Sequence, residues 1–428
     1  MRYVYYEDIE NKAHVKIPQE NYIGCIRCKE PEEIQWPTGY VQALTNPCGT
    51  KRLRDIAVGR KRVTILVSDY TRAVPAEMLL PLLIDELHQA GITESQITII
   101  IACGVHRPST QREITRIVGK DWARRFRVIN HNALDSDMLT FLGKTKRNTP
   151  VWINSLVLGS DLCIALGQIE PHESAGFTGG RKSILPGVCG QESIRFNHSP
   201  EMIGHPLARP GILEGNPVHE DMVEAALMAS LDFIINVVLN KDLKITGIFA
   251  GDMVEAHRKG VDFVSSFSKI EIPTQPDVII TTPGEPLDVD FYQSLKAVIA
   301  VDAIASPKTV IVFYSACQDR LGSMGEDMLE AFSGATIPRE VETNLRNNYR
   351  IQMDHAFLLS RILEKGVKIV AYSPNIPPKV IKEMMMTPVG SVQEGLDVAL
   401  QLATRRRPKV LIYPQAQRTL PILTNKDS

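Results

Sequence analysis

The sequence predicts an α/β protein of two α/β domains with mainly parallel sheets and an active-site cleft between them. Three observations lead there. Short β-branched runs alternate with helical patterns from residue 63 onward. The chain has 428 residues, more than one hydrophobic core usually serves. A proline-punctuated stretch, Pro273-Thr274-Gln275-Pro276, separates two series of these alternations.

Val63 to Val67 reads as a buried strand ending in Ser68-Asp69, and Pro75 to Gln89 as a helix with Leu79, Leu82, Leu83 and Leu87 on one face. Strands follow at Ile97 to Ala102, Phe126 to Asn130 and Asp161 to Leu166. Beyond the prolines come a strand at Asp277 to Thr281, a helix from about Asp290 to Ala305, and strands at Thr309 to Phe313 and Val367 to Ala371. The expected domains are therefore 1–272 and 273–409. The tail, 410–428, opens with a strand at Val410 to Pro414, for which a return to the first domain is open.

Composition excludes several classes. Lys and Arg total 48 against 49 Asp and Glu, a net charge of −1, so the basic excess that non-specific nucleic-acid binding needs is missing. Lys51 to Arg54 and Arg405 to Arg407 read as solvated loop charges. The first residues lack a basic segment followed by an apolar run, and no stretch approaches 18 consecutive apolar residues. Seven cysteines in a long chain do not make a disulfide framework. Cys25 and Cys28 form a lone CxxC with no second pair at zinc-ribbon spacing. A reducing, cytoplasmic setting is expected.

Polar clusters follow the apolar strands, where α/β proteins place their sites. Asp69, Thr71 and Arg72 follow the first strand and suit an anion; a capped loop with a surface Arg is the plain alternative. After the next strand, Gly104 permits a sharp turn and His106 stands either as a catalytic imidazole or as an ordinary loop histidine. Gly167 to Ser183 carries four glycines after its strand, Gly167, Gly176, Gly179 and Gly180. With His172 and Lys182 in it, the span reads as a loop whose backbone approaches a ligand. It is not a nucleotide-phosphate loop, because Arg181 stands where G-x-x-x-x-G-K-[ST] requires Gly. Asn197-His198 adds an imidazole in a Pro-bounded segment. Tyr292 and Lys296 are spaced i, i+4 with Gln293 beside them, on a face that is either functional or merely solvated.

Taken together, Ser68 to Pro75, Gly104 to Arg107, Pro171 to Gly187, Asn197-His198 and Tyr292 to Lys296 resemble the nickel-pincer lactate racemase family. The most specific match is Pro171-His172-(x3)-Gly176-Phe177-(x)-Gly179-Gly180-(x)-Lys182. The resemblance implies a cofactor, the nickel-pincer nucleotide (pyridinium-3,5-bisthiocarboxylic acid mononucleotide nickel), tethered covalently at Lys182, with His198 as a nickel ligand. It implies His106 and His172 as general acid/base groups, and Arg72 and Lys296 as holders of the substrate carboxylate with Tyr292 and Gln293 nearby. Asp69, Thr71, Gly179 and Gly180 fall with the cofactor, Asp69 also orienting Arg72 or a histidine. Cofactor-synthesis and nickel-insertion proteins are the implied partners, and a small 2-hydroxy acid the implied substrate. The sequence departs from the family pattern at Ala175, where Ser is usual, and at Arg181.

The implied reaction is inversion of a 2-hydroxy carbon by proton-coupled hydride transfer. The α-hydrogen of a 2-hydroxy carboxylate is barely acidic, so simple deprotonation demands a very large stabilisation of the transition state. Moving the hydrogen with its electrons avoids the carbanion and leaves two acid/base groups to manage the hydroxyl in either configuration. Two other readings stand beside it. Three loop histidines suit a zinc-dependent hydrolase, although no H-E-x-x-H supports it and Lys182 and Lys296 would lack roles. The other is a non-catalytic anion- or metal-binding protein.

Overall fold

The computed structural model describes residues 2–8, 13–285, 287–322 and 325–424, apart from the side chain of residue 352. The chain divides into two compact units. One comprises Glu30–His198 and His205–Ser266, here the N-terminal unit; the other, the C-terminal unit, comprises Met1–Lys29, Ser199–Gly204 and Phe267–Ser428.

The N-terminal unit is built on a six-stranded sheet in the order Ile245–Gly251, Phe233–Leu239, Leu162–Gln168, Val63–Ser68, Ile97–Ala102, Arg127–Asn130. Every neighbouring pair is parallel except Phe233–Leu239 with Ile245–Gly251. Strands covered on both faces need apolar side chains at every position, which is why Val63 to Val67 are all buried. The expected helix is present as Ala76–Gln89. It buries Leu79, Leu80, Leu83, Ile84 and Leu87, together with Glu86, whose carboxylate pairs with Arg52. Leu82 is only partly buried, one step off that face.

The C-terminal unit repeats the grammar in a wholly parallel sheet: Thr387–Pro388, Lys368–Tyr372, Val310–Tyr314, Val278–Thr281, Val410–Ile412, Tyr22–Cys25. Two expectations are corrected here. The tail strand does not return to the first domain, since Val410–Ile412 lies between Val278–Thr281 and Tyr22–Cys25; residues 425–428 of the tail fall outside the described residues. Nor does the N-terminal unit keep Ser199–Gly204, 267–272 or the first residues. Besides supplying Tyr22–Cys25, the first residues form the hairpin of Tyr3–Asp8 and Ala13–Pro18, whose Tyr6, Val15 and Ile17 share a core with Val278, Val310 and Val410. Burial of that hairpin's apolar face decides its membership, and nothing local in the sequence says which sheet will cover it.

The helix expected from Asp290 to Ala305 is broken. Phe291–Ser294 and Lys296–Val301 are separate short helices, followed by a 3-10 turn at Asp302–Ile304. Asp290 caps the first by accepting the Gln293 amide at 2.7 Å. No helix among the described residues is long and apolar enough to cross a membrane. No disulfide joins the seven cysteines, Cys25 and Cys28 included.

Candidate active site

Two adjacent strands of the N-terminal unit, paired Ser68↔Ala102 at their carboxyl ends, deliver the first group of residues. The buried Asp69 carboxylate meets His106 Nδ1 at 2.6 Å through one oxygen. Its other oxygen accepts the Thr71 hydroxyl at 2.6 Å and the Thr71 amide at 3.1 Å. Arg72 in turn donates to the Thr71 hydroxyl at 3.1 Å. Burial alone raises the Asp69 pKa, but the hydrogen bond and charge of His106, then Arg72 and Thr71, bring it below the ordinary value. An ionised Asp69 can only accept. Neutral His106 must then carry its proton on Nδ1 and present Nε2 as a lone pair.

The loop after Leu162–Gln168 carries the second group. Pro171–His172 and Gly176–Phe177 form a short antiparallel ladder that turns His172 back over the loop. The amides of Ser174 and Ala175 both approach His172 Nδ1, at 3.3 and 3.2 Å. Two N–H groups aimed at one ring nitrogen leave room for a lone pair rather than a proton, so neutral His172 carries its hydrogen on Nε2. That atom lies 3.2 Å from Lys182 Nζ. The departure at Ala175 therefore removes no contact to the ring, because the backbone supplies it.

The glycines of this loop answer to the protein's own packing as well. A Cβ on Gly176 (φ +76°) would lie 2.2 Å from the Ile212 carbonyl oxygen, and one on Gly179 (φ +85°) 2.8 Å from Asn236 Oδ1. Gly180 also takes positive φ, against the His257 ring, and its amide donates to Asn236 Oδ1 at 3.1 Å.

Sequence reasoning missed the keystone, Arg181. Its side chain is wholly buried. Nη2 donates to the carbonyls of Ala175 and Phe177 at 3.0 and 2.7 Å. Nη1 donates to those of Thr178 and Gly179 and lies 2.8 Å from His257 Nε2, which is itself 2.8 Å from the Thr178 carbonyl oxygen. A guanidinium beside the ring favours neutral His257. Burial and the Arg181 charge hold its pKa well below the ordinary value, while burial pulls Arg181 itself down to about 9. A charged residue inside a Gly-rich run gives no sign of pointing inward, so only the fold could reveal this.

The two loops meet where the Gly104 amide donates to the Gly187 carbonyl at 2.9 Å. His198 ends the helix Gln191–Asn197 and is buried. Its neighbour Asn197 donates to the buried Asp221 carboxylate at 3.0 Å; Asp221 also accepts the hydroxyls of Thr145 and Thr149. Sequence gave no hint of this anchor either.

Tyr292, Gln293 and Lys296 lie in the C-terminal unit. The Tyr292 hydroxyl donates to Asp354 at 2.7 Å, and its ring stacks on His355 with centroids 3.9 Å apart. Gln293 is buried, and its Oε1 has no hydrogen-bond partner among the described residues. Burial raises the Asp290 carboxyl, with the charges of His355 and Lys296 acting the other way.

Two imidazoles and an amine stand on loops that follow parallel strands, the place where α/β enzymes carry their sites. Comparison with known proteins carries this further. Residues 9–211 match the lactate racemase N-terminal domain and residues 272–417 the lactate racemase C-terminal domain. The chain is 38% identical to the lactate racemase of Thermoanaerobacterium thermosaccharolyticum over 402 residues, 91% of this chain and 92% of that protein. It is 34% identical to the lactate racemase of Lactiplantibacillus plantarum over 415 residues, 93% and 95% of the two. The structure of the Thermoanaerobacterium lactate racemase apoprotein superposes with a TM-score of 0.90, covering 98% of this chain and 100% of that one. A Thermotoga maritima protein at 17% identity shares the fold with a TM-score of 0.65, covering 93% and 100%. The chain belongs to the lactate racemase family, and it is an isomerase.

Proposed function

We propose that this chain, as a cytoplasmic enzyme, inverts the 2-hydroxy carbon of a 2-hydroxy acid, with lactate the first candidate. In this reading a nickel-pincer nucleotide is tethered at Lys182 and its nickel is ligated by His198. The observation that carries the reading is the opposite hydrogen-bond polarity of two histidines. Asp69 leaves His106 with a lone pair on Nε2, and the Ser174 and Ala175 amides leave His172 with a hydrogen on Nε2. One imidazole is prepared to take a hydroxyl proton and the other to give one, as inversion through a 2-keto acid requires.

The residues fit the cofactor. A pincer brings most of its own donors, so a single buried imidazole such as His198 completes the set. A three-histidine zinc site needs a cluster, and the described residues hold no group of three or more His, Cys, Asp or Glu that could bind a metal. When bound, the cofactor supplies the acceptor for the hydrogen on the 2-carbon. The chain does the rest. Arg72, steadied by Thr71, and Lys296 hold the carboxylate, while Tyr292 and the unsatisfied Gln293 Oε1 are available to the hydroxyl. Asp69 fixes His106 for proton removal, and the Arg181 staple holds the loop that carries Lys182. Cofactor-synthesis and nickel-insertion proteins are the partners this reading requires.

The test is to make the protein together with cofactor-building enzymes and then measure intact mass, nickel content and racemisation of a panel of 2-hydroxy acids. Added mass on the Lys182 peptide, nickel and racemisation are expected. Lys182→Ala loses the adduct, whereas His106→Ala keeps it and loses turnover. An adduct retained by Lys182→Ala, or zinc with no adduct in the fully equipped preparation, overturns the proposal.

A further inference from the structure

The contact between His172 and Lys182 has a direction. The Ser174 and Ala175 amides occupy the Nδ1 lone pair, so the ring hydrogen is on Nε2 and points along the 3.2 Å line to Lys182 Nζ. A donor facing an ammonium, which has hydrogens and no lone pair, is repulsive. The same line is a hydrogen bond only if Nζ accepts. We propose that His172 holds Lys182 as an unprotonated amine, so that the chain prepares its own nucleophile for acyl-type electrophiles before any cofactor is attached. His172 is thus a positioning residue in loading, apart from its place in turnover. The inference rests on the reading of Lys182 as the tether.

Charged groups near the pair act in both directions. Glu173 favours a proton on Nδ1, but its carboxylate is 3.6 Å away, beyond hydrogen-bond range, whereas the two amides are within it. Arg181, the adjacent residue, is positively charged at neutral pH and disfavours a second cation beside it. Asp69 and Asp221, on or next to elements packed against the Gly180–Ser183 turn, act in the opposite sense. Asp69, however, is engaged by His106 and Thr71, and Asp221 by Thr145, Thr149 and Asn197. His219, on the helix packed against this turn, is neutral, its pKa lowered to about 3 by burial and by Arg181.

The consequence is chemical. In acyl transfer the Nζ lone pair adds to the acyl carbon and a C–N bond forms. The bond to the leaving oxygen or sulfur breaks with its electron pair going to that atom, and the proton shed by nitrogen passes to solvent. An ordinary lysine at pH 7 offers its lone pair in roughly one molecule in 2,500, given a reference pKa near 10.4. A lysine already unprotonated escapes that penalty.

The full chain, produced without cofactor enzymes, is pulsed with acetic anhydride between pH 6.5 and 9.5, and each lysine's acetylation is read by peptide mass spectrometry. Lys182 is expected to label at pH 7 at least tenfold faster than the exposed lysines. Its rate should stay nearly flat to pH 9 while theirs climbs about tenfold per unit. His172→Phe, which lacks the ring N–H, should restore the ordinary slope. A Lys182 rate that climbs in parallel with the other lysines overturns the proposal, as does absence of labelling at every pH. If His172→Phe does not fold, the wild-type slope decides alone. No nickel or nucleotide enters the assay, so its failure is separable from failure of the racemase reading, which the adduct and turnover measurements judge.

Discussion

Asp69 Oδ2 and His106 Nδ1 stand 2.6 Å apart at the ends of two neighbouring parallel strands, and this contact fixes which ring nitrogen of His106 faces outward. Replacing Asp69 by Asn keeps the shape but offers an amide N–H to Nδ1, which favours the tautomer with its hydrogen on Nε2. A loss of about 10²- to 10³-fold in kcat is expected, with KM moved much less. Steady-state kinetics of the loaded enzyme and the ¹⁵N shifts of His106 test this; an unchanged tautomer removes the explanation.

Arg181→Met should act on stability and on the loop together. It strips donors from the carbonyls of Ala175, Phe177, Thr178 and Gly179, all in a buried setting. A cost of about 2–4 kcal/mol is expected from leaving such acceptors unmet. Urea unfolding reads the cost, and hydrogen exchange at residues 175–183 should quicken ahead of the rest of the unit.

Stability should fall in mild acid. Burial lowers His131 to about 4, and burial with the Arg181 charge lowers His219 to about 3 and His257 far below its ordinary value. Between those values and the unfolded value of 6.5, the unfolded chain binds protons that the folded chain refuses. Stability is therefore full above pH 6.5 and declines as pH falls through 6 and 5. The slope approaches about 1.4 kcal/mol per pH unit for each histidine. Denaturant titrations at pH 7, 6 and 5 check the sign; a constant midpoint contradicts it.

Tyr292 gives its only hydroxyl hydrogen to Asp354, so its oxygen faces any other partner as an acceptor. A 2-hydroxy acid can donate to that oxygen and a 2-keto acid cannot. Asp354→Ala is expected to raise KM for the hydroxy acid about tenfold, worth ~1.4 kcal/mol, while inhibition by the keto acid strengthens or holds. Equal weakening of both ligands assigns Asp354 to scaffolding alone.

The legible part of the fold was the part written in local pattern. Ile97–Ala102 was read to the residue, and Val63–Ser68 to within one, because strands covered on both faces admit almost nothing but apolar side chains. The helix expected from about Asp290 is one element by its pattern and several short pieces in the fold, because no proline or glycine in the sequence marks the break at Leu295. Within the site, His106, Asp69, Thr71 and Arg72 were legible as polar residues at strand ends. Arg181, His257, Asp221 and Asp354 were not, because each acts on a residue far away in the chain or through the backbone.

From its order of residues alone this protein determined an alternation of strand and helix, and the kinds of side chain standing where strands end. Folding in three dimensions decided which sheet received Tyr22–Cys25 and Val410–Ile412, which way Arg181 turned, and which nitrogen of His106 and of His172 holds its hydrogen. The division has one physical cause. Apolar periodicity is a property of neighbours along the chain, whereas hydrogen-bond direction depends on what burial brings within about 3 Å.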